Sequence, residues 1–123
     1  MDAASIIEIY TEMTPNPESL KFVTNRHLLP NFQIDFKAKE LAGGSELAKT
    51  LFEIPFVSGV FVANNFVTIT KKPEYDWFEI SPELKEVVKQ FLQSGKKPVD
   101  DSLLPQDILQ QQHSNAADES PET

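Results

Sequence analysis

The stretch Val57-Ser58-Gly59-Val60-Phe61-Val62-Ala63-Asn64-Asn65-Phe66-Val67-Thr68-Ile69-Thr70 decides the fold. Branched and aromatic side chains suit a pleated, half-buried surface, so 57–63 and 66–70 each read as a strand. Asn64-Asn65 lies between them. Asparagine tolerates a left-handed backbone, which predicts a tight hairpin here. The first strand is apolar on both faces, and this implies a central place in a sheet.

On the C-terminal side, Ser81-Pro82-Glu83 has the marks of a helix start. Serine caps, proline sits at the first helical position, and glutamate meets the positive end of the helix dipole. Leu84, Val87, Val88, Phe91 and Leu92 then form one apolar stripe. Gly95 stops the helix, and Lys89, Lys96 and Lys97 suit its negative end. On the N-terminal side, Ser45 after Gly43-Gly44 reads as a helix N-cap. Leu47, Ala48, Leu51 and Phe52 follow at helical spacing until Pro55 ends the run.

Further upstream, Phe32, Ile34 and Phe36 alternate with Gln33 and Asp35, the pattern of a half-buried strand, and Leu28-Leu29-Pro30 breaks the chain before it. Residues 5–10 (SIIEIY) and 19–23 (SLKFV) read as two more strands. Thr14-Pro15-Asn16-Pro17 separates them, because two prolines fix φ and remove two backbone donors. The order is therefore β-β-β-α-β-β-α. An α+β domain follows, with a single antiparallel or mixed β-sheet and two helices packed on one face. A ferredoxin-like arrangement is a neighbouring reading, since order alone does not fix strand pairing.

Charge divides the chain. Of the net −8, six units come from Asp100, Asp101, Asp107, Asp118, Glu119 and Glu122, with no Lys or Arg after Lys97. Residues 1–97 read as the folded domain and 98–123 as an acidic tail. That tail is too polar to order itself, apart from a short helix at 102–110 carried by Leu103, Leu104, Ile108 and Leu109. Such a tail reads as a solvating appendage; a sharper reading is an arm that masks a binding face. An acidic chain is a poor partner for phosphate backbones, so no nucleic acid is expected. No apolar run approaches the ~20 residues of a membrane span. Without a basic segment ahead of Ile6-Ile7, the default expectation is a cytoplasmic protein.

The chain has no cysteine. Disulfides, thiolate nucleophiles and cysteine-held zinc or iron–sulfur clusters are thereby excluded within it. His27 and His113 are too few and too far apart in sequence to suggest a metal site, and no cofactor is expected. No motif pairs Asp35, Glu40, Glu53 or Asp76 for acid–base work, and the Gly43-Gly44 pair lacks the lysine of a phosphate loop.

The run 11–22, Thr-Glu-Met-Thr-Pro-Asn-Pro-Glu-Ser-Leu-Lys-Phe, resembles the opening signature of the N-terminal domain of the Nfu (NifU-like) iron–sulfur cluster scaffold family. Ser45, Leu47, Ala48, Leu51-Phe52-Glu53-Ile54-Pro55 and Val57-Ser58-Gly59-Val60-Phe61 resemble the family's helix and following strand. Phe66-Val67-Thr68-Ile69-Thr70-Lys71 and Asp76-Trp77 continue the match in the same order. One departure is Phe56, where the family usually has glycine; it leaves the turn geometry there open. Another is the missing Cys-x-x-Cys domain. The resemblance implies this fold and a non-enzymatic accessory or recognition role in iron–sulfur assembly. The partners it implies are cluster scaffold or recipient proteins.

Thr14, Asn16, Lys21 and Trp77, the last beside Tyr75 and Phe78, are the residues that would form a partner-binding surface. Each also has a plainer reading. Thr and Asn bind their own backbone in turns, Lys21 is an ordinary solvated lysine, and Trp77 is a lid over the sheet edge. A small-molecule module, using a groove between sheet and proline turn, is the alternative function.

Overall fold

A computed structural model describes residues 6–103. The elements are β1 (Ile9–Met13), β2 (Ser19–Thr24), β3 (Leu29–Phe36), α1 (Glu46–Phe52), β4 (Val57–Asn64), β5 (Phe66–Lys71) and α2 (Trp77–Gln93). Short 3₁₀ turns occupy Lys39–Leu41 and Asp101–Leu103. The succession is the one read from the sequence. All strand pairs are antiparallel, in the order β1-β2-β5-β4-β3. β4 is paired on both sides, as its two apolar faces imply, but the middle strand is β5.

Alternation sets the two faces of the sheet. Leu20 and Phe22 of β2, Val60 and Val62 of β4, and Val67 and Ile69 of β5 point to one side and are buried there. Leu47, Ala48, Leu51 and Phe52 of α1, with Ile80, Leu84, Val88 and Phe91 of α2, close over them in a single core. Fully burying side chains such as Phe22, Leu47 or Leu84 contributes roughly 1.5–3 kcal/mol each. Among the described residues the other face carries no helix. It presents Lys21, Phe61, Phe66 and Thr68, with Lys21 and Phe61 each opposite Thr68.

Local chemistry accounts for most boundaries. Asn64 takes a left-handed φ of 41° at the β4–β5 hairpin. Its neighbour Asn65 donates from Nδ2 to the Thr24 carbonyl at 3.1 Å. The Ser45 Oγ accepts from the Ala48 N–H at 2.9 Å, which makes it the N-cap of α1. Gly95, at φ +79°, ends α2. Phe56 fits its turn without a left-handed backbone: its ring is buried and meets Tyr75 at 5.1 Å between centroids.

Three boundaries differ from expectation. α2 starts at Trp77, not at Ser81, because Asp76 caps it first by accepting from the Phe78 N–H. Pro82 therefore lies inside the helix, where its missing N–H leaves one rung unmade. β1 spans Ile9–Met13 and not 5–10, since it zips onto β2 outward from the turn, with Met13 opposite Leu20. Residue 5 lies outside the described residues. β3 begins at Leu29, and an irregularity between Leu29 and Gln33, with Asn31 at φ 64°, absorbs the proline that reads as a break.

The chain beyond α2 folds back on α1. Val99 is buried in the core. Ser45 Oγ donates to the Pro98 carbonyl at 2.7 Å, and the Asp100 N–H donates to the Gly44 carbonyl at 2.7 Å. Most of the acidic segment, and the helix expected at 102–110 after Leu103, lie outside the described residues.

Candidate functional site

The turn at 14–19 is held by its own side chains. Thr14 Oγ1 donates to the Asn16 carbonyl at 2.9 Å and accepts from the Asn16 N–H at 3.1 Å. Asn16 Oδ1 accepts from the Glu18 N–H at 3.0 Å, and its Nδ2 reaches Ser19 Oγ at 3.2 Å. Ser19 Oγ in turn shares a 2.8 Å hydrogen bond with Thr70 Oγ1 of β5. With two prolines fixing φ, these bonds make the turn a stiff projection.

α2 clamps the turn from the side. Trp77 Nε1 donates to the Pro17 carbonyl at 3.1 Å, and its ring meets Phe22 edge-on at 6.3 Å. Beneath it lies Lys71, only 6% exposed on the helix-bearing side of β5. Its Nζ donates to Glu18 Oε1 at 2.9 Å and sits 5.8 Å from the Trp77 ring centroid. A lysine so buried needs a partner. The proline turn supplies it, across 53 residues of sequence.

Thr14, Asn16 and Trp77 therefore converge at one end of the molecule. Lys21 does not join them. It alternates out of the core onto the helix-free face, where it pairs with Glu12 at 3.5 Å and lies 4.1 Å over the Phe66 ring. Two more residues belong to the converged end: Met13, which the sequence does not single out, and Phe78, which reads with Tyr75 beside Trp77 as an aromatic surface. Met13, directly before Thr14, is 89% exposed, and Phe78, directly after Trp77, is 88% exposed. Nothing in the sequence separates Met13 from the core residues.

The carboxylates do other work. Asp35 pairs with Lys37 at 3.4 Å, Asp76 caps α2, and Glu53 closes α1. Among the described residues no group of three His, Asp or Glu stands close enough to hold a metal ion. A cleft of about 730 Å³ lies away from the turn, at the other end of α2.

Comparison with known proteins adds the family. Residues 9–95 match the family described as scaffold protein Nfu/NifU N terminal. The chain is 42% identical over 88 residues to the Drosophila ananassae protein named NFU1 iron–sulfur cluster scaffold homolog, mitochondrial. It is 39% identical over 88 residues to the Homo sapiens protein of the same name. These alignments cover 71% of this chain but only 31% and 35% of the relatives. The chain thus spans about a third of their length. A solution structure of a NifU-like protein from Saccharomyces cerevisiae superposes with a TM-score of 0.66 at 28% identity, over 81% of this chain and 89% of that one.

These matches correct one expectation. A cytoplasmic location was the default expectation, yet the fly and human relatives, and the Arabidopsis thaliana NifU-like protein 4, are all named mitochondrial. The composition of a folded domain carries no cellular address. Nor do the residues present fit an iron–sulfur cluster, whose usual ligands are thiolates, since the chain has no cysteine.

Proposed function

The chain belongs to the Nfu/NifU N-terminal family, and we propose that it serves iron–sulfur cluster assembly as a contact module without catalysis of its own. It docks on a cluster scaffold or a cluster-receiving protein and leaves the cluster to cysteines elsewhere. The end of the molecule built from Thr14, Asn16 and Trp77 is the docking surface, and Lys21 lies apart from it. The observation that carries this reading is that Met13 and Phe78 are almost fully exposed, the first next to Thr14 of a stiff, internally bonded turn and the second next to the Trp77 that clamps it. Exposed apolar anchors on a rigid support bind at low entropic cost, because little has to be ordered on association.

The test uses the full chain as bait in an extract of its own source, with the Met13→Ser/Phe78→Ser variant beside it. Cluster scaffolds or recipient enzymes should be enriched by the parent. The double variant should bind them more weakly by about 2 kcal/mol or more, roughly 30-fold. Enrichment of unrelated proteins only would remove the functional reading and leave the fold intact. Equal capture by both baits would move the docking surface elsewhere.

A further inference from the structure

The cleft at the C-terminal end of α2 has a volume of about 730 Å³, within the size range of small-ligand sites. Arg26, His27, Lys89 and Lys96 line it, and among the described residues no Asp or Glu does. Ile6, Ile7 and Leu92 supply an apolar wall. In a chain of net charge −8 this is an uncommon concentration of one sign.

Among the described residues, Arg26, Lys89 and Lys96 also make no ion pair. Of the eleven Lys and Arg, five form ion pairs among the described residues: Lys21, Lys37, Lys49, Lys71 and Lys97. Of the six that do not, Arg26, Lys89 and Lys96 meet in this one cleft. Glu8 and Glu86 line a neighbouring cleft that shares Lys89, yet neither carboxylate comes within 4 Å of its ammonium. Arg26 donates from Nη2 to the Ile6 carbonyl at 3.3 Å. Its Nε is shielded from solvent and has no acceptor. His27 offers an N–H donor in either protonation state.

A plainer account has the lysines there only to offset the carbonyl end of α2, worth roughly half a negative charge. That explains Lys89 and Lys96. It does not explain Arg26 and His27, which arrive from the loop after β2, nor three fixed positive charges against half a negative one. The geometry points to a binding site for a small, multiply charged phosphate or carboxylate anion. It stands about 24 Å along α2 from the proposed docking end, at 1.5 Å per residue, and does not depend on that reading. Arginine and lysine together suit such a ligand: the guanidinium grips two oxygens in a plane, and the ammonium groups add point charge.

The experiment titrates the isotope-labelled full chain with inorganic pyrophosphate, and separately with citrate and a glutamate-rich octapeptide, at about 150 mM salt so that diffuse attraction is screened. Saturable amide shifts are expected at residues 26–27 and 93–96 with pyrophosphate or citrate. Their ratio tells phosphate from carboxylate preference. Lys89→Ala/Lys96→Ala should weaken binding at least about tenfold with an unchanged parent spectrum elsewhere. Lys72→Ala, on a lysine outside the cleft that makes no ion pair among the described residues, should change nothing. Shifts that fail to saturate, that scatter over Lys37 and Lys72, or that survive the double substitution would overturn the site. So would a response to the peptide alone, which would make the cleft a protein-docking groove.

Discussion

Lys71 and Glu18 should respond unequally to removal, and the inequality tests what holds the proline turn on the sheet. The two side chains meet at 2.9 Å, but Lys71 is 6% exposed and Glu18 is 38% exposed. Glu18→Ala strands a buried ammonium, whose remaining acceptor is the Lys72 carbonyl at 3.5 Å. Breaking a fully buried pair from one side costs about 3–5 kcal/mol. An exposed pair contributes about 0.2–1 kcal/mol. Glu18 is partly hydrated, so the cost here falls between, at about 2 kcal/mol. Lys71→Met removes the charge and keeps the chain length and apolar stem against Trp77. It leaves a carboxylate that water can reach, so stability should stay within about 1 kcal/mol of the parent. The double variant should behave like Lys71→Met alone. Urea unfolding followed by the fluorescence of Trp77, the single tryptophan, reports all three. With a urea dependence of about 1.5 kcal/mol per molar, Glu18→Ala should lower the midpoint by more than about 1 M, and Lys71→Met by much less. If Lys71→Met proved as damaging as Glu18→Ala, the pair would be a net source of stability and the desolvation argument would be wrong.

Other residues give sharper single outcomes. Ser45→Ala removes two hydrogen bonds from one fully buried hydroxyl, to Ala48 and to Pro98, and should cost about 2 kcal/mol in thermal or urea unfolding. It should also speed proteolysis after residue 97, since the hydroxyl ties that segment to α1. Pro82→Ala restores a helical rung six residues into α2 and should stabilise the fold by about 1–2 kcal/mol, the helix gain less the entropy returned to the unfolded chain. No gain would mean the helix is already relaxed around the ring.

The departures from expectation share a pattern. The start of α2 was misplaced because Ser81-Pro82-Glu83 is a strong local signal that a preceding Asp76 cap overrides. Lys21 reads as the polar-face residue of a strand beside the proline turn, and Trp77 as a surface aromatic or a sheet-edge lid. Strand alternation then sends Lys21 through to the opposite face. Thr14 and Asn16 were legible as turn-formers because their partners lie within five residues.

The sequence by itself determined the element order, the two helix-covered stripes, the asparagine hairpin, the Ser45 cap and the Gly95 stop. It also determined the lack of any thiolate. Each of these depends on side-chain period, backbone φ or atoms present, which are properties of a residue and its near neighbours. Only the tertiary structure decided that Lys71 is buried against Glu18, that Trp77 clamps the proline turn at Pro17, and that Arg26 and His27 meet Lys89 and Lys96. Those juxtapositions depend on strand order and on how α2 lies across the sheet. Both are set by burying one common apolar face, a sum over the whole chain that leaves no local mark on the polar residues it brings together.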